Sequence, residues 1–107
     1  MIYEYRVYHV MPGKLPALNA RFADTTVPLF KKYGIEVVGF WETVIGTSGT
    51  LHYMLAFRDL AHLEQAWASF RADPERARAF AATEIDGPLV QYITNTVLRP
   101  TSYSPMQ

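Results

Sequence analysis

The chain has 107 residues, enough for one hydrophobic core and too few for two. Half of them are hydrophobic, which excludes a disordered chain, and ten basic residues balance ten acidic ones, which argues against nucleic acid or an anionic membrane as the main partner. Cysteine is absent, so disulfides, thiolate metal sites and cysteine nucleophiles are excluded.

Ile2 to Val10 alternate strictly and predict a first strand. Its odd face, Tyr3, Tyr5, Val7 and His9, is aromatic and reads as core. Its even face sets Glu4, Arg6 and Tyr8 between apolar ends and reads as the lining of a cavity. No basic-then-apolar leader precedes this strand and no apolar run reaches membrane-spanning length, so the expectation is a soluble, cytoplasmic protein.

Met11-Pro12-Gly13 ends the strand, and a helix follows from Lys14. Leu15, Leu18, Phe22, Thr26, Leu29 and Tyr33 form its apolar stripe. Pro28 should kink or tighten its last turns, and Gly34 closes it. A second strand is predicted from Ile35 to Ile45. Gly46-Thr47-Ser48-Gly49 turns the chain into a third, Leu51 to Arg58. Asp59 caps a second helix with Leu60, Leu63, Trp67 and Phe70 inward, and Asp73-Pro74 restarts it with Ala77, Phe80 and Ala81 inward. Asp86-Gly87-Pro88 is a turn, Leu89 to Leu98 a fourth strand, and Arg99 to Gln107 an extended tail.

This is a β-α-β unit written twice: an α+β, ferredoxin-like split β-α-β with element order βαββαβ. Residues 1–107 form a single domain, residues 99–107 its tail. The expected architecture is an antiparallel four-stranded sheet with two helices on one face. The other face carries too much apolar area for water. A second copy should cover it, giving a homodimeric α+β barrel with a pocket between the helix-free faces.

Three residues are candidates for catalysis in that pocket. Arg6 has the fork geometry to anchor a carboxylate, enolate or carbonyl oxygen, against the plainer reading of an ion pair with Glu4. Tyr8 could donate to a bound oxygen, or simply pack with a wet tip. His52 alternates with Met54 and Ala56 opposite the apolar row Leu51, Tyr53, Leu55 and Phe57, so it should share the cavity with Arg6 and could move a proton; a satisfied strand-end histidine is the alternative. Glu4, Trp41, Glu42, Met54 and Asn95 are candidates for ligand contact. Trp41 and Glu42 point to opposite faces and only the hairpin register decides which enters the cavity. The three histidines have no metal-ligand spacing, so no metal is expected, and no cofactor is implied. A haem would need His52 or His9 as an axial ligand. Arg71, Arg76 and Arg78 alternate with alanines and read as a solvated face.

A set of short motifs runs the length of the chain in order: Glu4-x-Arg6-x-Tyr8, Pro12-Gly13-Lys14, Tyr33-Gly34, Gly39-Phe40-Trp41, His52 with Ala56, Asp73-Pro74-Glu75, Leu98-Arg99-Pro100-Thr101 and Ser104-Pro105. In this the sequence resembles the NIPSNAP family. The resemblance implies a ferredoxin-like subunit of a dimeric α+β barrel, of short bacterial type, and no settled activity. Two positions depart from the pattern: Phe57 stands where a tyrosine is usual, and Arg76 where a tryptophan often follows Asp-Pro-Glu. The leading functional expectation is a homodimer with a small-molecule pocket. The alternatives are a cofactor-independent monooxygenase or isomerase acting on a small aromatic or enolisable substrate, and a non-catalytic interaction module using the tail.

Overall fold

The computed structural model describes all 107 residues. Four antiparallel strands, β1 (Ile2–Val10), β2 (Glu36–Glu42), β3 (Thr50–Phe57) and β4 (Val90–Leu98), form one sheet in the order β2-β3-β1-β4. Two helical arms lie on one face. The first runs through α1 (Leu15–Arg21), a π-helical segment (Phe22–Thr26) and α2 (Val27–Lys32); the second through α3 (Leu60–Ala72) and α4 (Pro74–Thr83). No helix is long and apolar enough to cross a membrane.

Local chemistry explains the breaks. Pro28 has no N–H to return to the preceding turn. The helix absorbs the loss just upstream, where the Val27 N–H reaches back five residues to the Phe22 carbonyl. Gly34 ends this arm at φ +70°, a left-handed conformation that favours glycine. Asp59 caps α3 by accepting from the His62 N–H at 2.8 Å. Asp73 caps α4 by accepting from the N–H groups of Glu75 and Arg76 at 2.8 and 3.1 Å, with Pro74 at the first helical position.

The core lies between the sheet and the helices. Leu18, Phe22, Leu29 and Phe30 from the first arm meet Trp67 and Phe70 from the second over Leu51, Tyr53, Leu55 and Phe57 of β3. Leu60 is exposed, as are Ala77 and Ala81, so the inward stripe of the second arm is narrower than its sequence suggests. Val44 and Ile45 stand almost fully in solvent, because β2 ends at Glu42 and the hairpin loop leaves the sheet. The tail is not extended. It turns at Thr101–Ser104, and the Gln107 carbonyl accepts from the Tyr3 hydroxyl at 2.7 Å, which lays the tail over one end of the bare face beside Met54 and Leu98.

The register overturns one expectation. Arg6 is paired with Tyr53, Tyr8 with Leu51, and Val7 with His52. Directly opposed residues share a face, so the even row of β1 goes with the apolar row of β3. Glu4, Arg6 and Tyr8 therefore lie beneath the helices, not on the bare face. The aromatic odd row, expected as core, lies on the bare face with His52.

Candidate functional site

Glu4 is the hub beneath the helices. It is 2 % exposed. Its Oε1 accepts from the Trp67 indole N–H at 2.7 Å; its Oε2 accepts from Asn95 Nδ2 at 2.9 Å and from Arg6 Nη1 at 3.0 Å. One carboxylate thus ties β1 to α3 and β4, and both its oxygens are taken. Arg6 lies over the Trp67 ring, 4.6 Å from its centre, and its Nε donates to the Tyr53 hydroxyl at 2.7 Å. Burial alone would lower the Arg6 pKa; the surrounding oxygens of Tyr53, Tyr8 and Glu4 more than reverse this, and the guanidinium is a fixed cation. Burial also holds the Tyr53 phenol well above its ordinary pKa, so Tyr53 is a neutral hydroxyl, and it donates to the Tyr8 oxygen at 3.2 Å.

Beside this chain lies a cleft of about 110 Å³ between the sheet and the helices. Arg6, Tyr8, Trp67 and Ile93 form part of its wall. Phe22 and Thr26, the first and last residues of the π-helical segment, form another part, and such segments recur at functional sites. Arg21, Phe30, Phe70, Arg76 and Phe80 complete it. The Arg21 guanidinium sits 3.9 Å from the centre of the Phe80 ring and pairs with Glu84 at 3.4 Å; that of Arg76 sits 4.4 Å from the same ring.

Arg76 differs from the other two. Its Nε is buried and has no hydrogen-bond partner. Arg6 is paired with Glu4 and Arg21 with Glu84, whereas Arg76 has no carboxylate within ion-pair distance. Burial, and then repulsion from Arg71 and Arg21, lower its pKa against the opposing pull of Tyr8 and Glu84, so on balance the environment disfavours its charge. The Asp73 cap places this side chain: it holds the Arg76 backbone at the start of α4, from which the guanidinium reaches the cleft. The lining contains no carboxylate and no imidazole.

The predicted site residues are thus split by the sheet. Arg6, Tyr8 and Glu4 come together under the helices, and Asn95 joins them through Glu4. His52, Met54 and Trp41 stand on the bare face, where Trp41 is paired across the ladder with His52 and is half exposed. There His52 Nδ1 hydrogen-bonds the Tyr5 hydroxyl at 2.6 Å, while Nε2 faces Thr43 and Thr50 at 3.1 Å each. Glu42 is paired with Leu51 on the helix side, at the exposed end of β2, and accepts from Asn19 at 2.6 Å. His9 stacks on Tyr92 at 4.0 Å on the bare face, so neither histidine that a haem would need reaches the cleft. No three His, Asp or Glu residues stand close enough to hold a metal ion. Arg76, expected in solvent, and Arg21 line the cleft. The signal for both was an arginine on an apolar helical stripe: Arg21 next to Phe22, and Arg76 one turn before Phe80.

Residues 3–105 match the family model described as NIPSNAP. The chain belongs to the NIPSNAP family. It is 26% identical over 106 residues to Protein NipSnap homolog 1 of Danio rerio, covering 99% of this chain and 36% of that protein, so it spans about a third of the length of that relative. A NIPSNAP family protein of unknown function from Agrobacterium tumefaciens has the same fold, with a TM-score of 0.87 at 26% identity over 100% of this chain and 94% of that one. An uncharacterised NIPSNAP domain protein from Burkholderia xenovorans superposes with a TM-score of 0.85 at 21% identity, covering 98% and 99% of the two chains.

Proposed function

We propose that this NIPSNAP domain binds a small organic anion, a short carboxylate, in the cleft between β1 and the helices. The observation that carries this is the buried, unpartnered Nε–H of Arg76 in a wall with three guanidinia and no acid. A buried donor without an acceptor costs about 1–3 kcal/mol, more when charged, and an anion would recover that cost. Size sets the class. A volume of about 110 Å³ holds about four waters, well under the roughly 300–1,000 Å³ of sites for drug-sized ligands. It suits a short-chain acid and is far too small for a porphyrin.

The enzyme alternative has less support, because an isomerase or oxygenase that begins by taking a proton needs a base and the lining offers none. The interaction-module alternative is weakened by the tail, which is engaged with its own sheet through Tyr3.

Two copies are proposed to associate through the bare face. Tyr5, Val7, Trp41, Met54, Tyr92 and Leu98 lie there; Trp41, Tyr92 and Leu98 are 42–52 % exposed, a patch that favours burial against a like surface. Light scattering should give twice the 12.2 kDa chain mass; a monomer at micromolar concentration refutes the association.

For the cleft, the experiment is thermal unfolding in sodium butyrate against sodium chloride at equal ionic strength. Butyrate should raise the midpoint in proportion to the logarithm of its concentration, and Arg76→Gln should abolish the rise. Equal midpoints in the two salts would overturn the reading.

A further inference from the structure

Hydrogen-bond direction along the chain of Arg6, Tyr53 and Tyr8 carries the binding reading one step further. A guanidinium has no acceptor, so Arg6 Nε must donate to the Tyr53 oxygen. The Tyr53 proton then goes to the Tyr8 oxygen. Tyr8 has already accepted; its own proton has no acceptor in the protein, and its ring borders the cleft. Tyr53 is fully buried and Tyr8 is its one acceptor, so the reverse direction would leave the Tyr53 proton unpaired; burial keeps Tyr53 from ionising, and Arg6 stays charged. The chain begins at a positive charge, and each bond polarises the next, which strengthens the last O–H as a donor.

We infer that Tyr8 is the specificity-determining residue of the cleft, a donor locked toward its occupant, and that the preferred ligand is a short 2-oxo acid whose carboxylate meets Arg76 and whose keto oxygen meets Tyr8. This rests on the anion reading above and adds the second oxygen to it. Tyr8 and Arg76 both present donors, and the Arg76 guanidinium, which has no ion pair, repels a cation. An acid with an acceptor beside its carboxylate satisfies both groups. An acid with a methylene there leaves Tyr8 unpaired, and an amino acid brings an ammonium into an already cationic wall.

The test is titration calorimetry of 2-oxobutyrate, butyrate and 2-aminobutyrate with the wild type and Tyr8→Phe, the full-length chain in each case. The wild type should bind 2-oxobutyrate about tenfold more tightly than butyrate, the value of one well-aligned hydrogen bond, and should show no measurable affinity for 2-aminobutyrate. Tyr8→Phe should bring the two acids within about twofold of each other. Equal wild-type affinities for 2-oxobutyrate and butyrate, or a preference that survives Tyr8→Phe, would overturn the role of Tyr8 while leaving the anion site standing. Failure of both acids to bind would overturn the site and this inference together. Should Tyr8→Phe unfold, the wild-type preference decides, read with the chemical shift of an isotope-labelled Tyr8 Cζ. That carbon should move on adding 2-oxobutyrate and stay in place with butyrate; the same response to both acids counts against the inference.

Discussion

Arg6 and His52 stand back to back across the sheet. Arg6 is opposed to Tyr53 and lies beneath Trp67; His52, one residue earlier on β3, is opposed to Val7 and bonds Tyr5 on the bare face. No single pocket within one chain contains both. His52→Ala should therefore leave carboxylate binding in the cleft within about twofold of wild type, because its side chain touches none of the lining. It should act on association instead, through the loss of the Tyr5 and threonine contacts that order the bare face near Trp41. Calorimetry with butyrate and light scattering on the same sample check both halves.

How much of this was legible follows from the same pair. Alternation placed His52 opposite Leu51 and Tyr53 correctly, because a strand's two faces are a property of that strand alone. Whether the even or odd row of β1 joins the core depends on register, and a one-residue change inverts every side chain. Glu4, Arg6 and Tyr8 look too polar for a core, and the aromatic row of Tyr3 and Tyr5 looks the better candidate. The fold chose otherwise because Glu4 finds Trp67, Asn95 and Arg6 as partners, none of them visible as a cluster in sequence. The caps at Asp59 and Asp73 and the stop at Gly34 were readable, since each depends on a few neighbouring residues. The place of Arg76 was not: alanines around it suggested solvent, and only the packing of α4 against the first arm brings it to the cleft.

The Glu4–Arg6 pair should be costly to break from one side. Glu4→Ala leaves a mostly buried guanidinium uncompensated and the Trp67 N–H without its acceptor, which predicts a loss of about 3–5 kcal/mol. Replacing both residues, Glu4→Gln with Arg6→Met, removes the charge problem and retains an amide acceptor for Trp67. The double variant should be more stable than Glu4→Ala, and its loss should be smaller than the sum of the separate Glu4→Gln and Arg6→Met losses. Urea denaturation followed by Trp67 fluorescence measures this. Additive losses would mean that the pair contributes only as separate side chains.

Asp73 makes stability fall in acid over a defined window. Its carboxylate accepts from the Tyr33 hydroxyl, from Lys32 Nζ at 3.0 Å and from the backbone of Arg76 and Glu75. The Tyr33 bond first, then Lys32, hold its pKa well below the usual carboxylate range. A depressed pKa means that the unfolded chain takes up the proton first. The contribution of Asp73 is therefore complete above its unfolded value of about 4 and declines as pH falls below it. Asp73→Ala should lower Tm at pH 7 by about 4–8 °C, the usual consequence of losing a helix cap in a domain of this size. Below pH 4 the wild type should lose stability more steeply than the variant, so the two curves converge. Calorimetric scans from pH 7 to pH 3 test the sign directly: parallel curves would mean that Asp73 is no more ionised in the folded chain than in the unfolded one, and that the link between Tyr33, Lys32 and the start of α4 does not carry acid sensitivity.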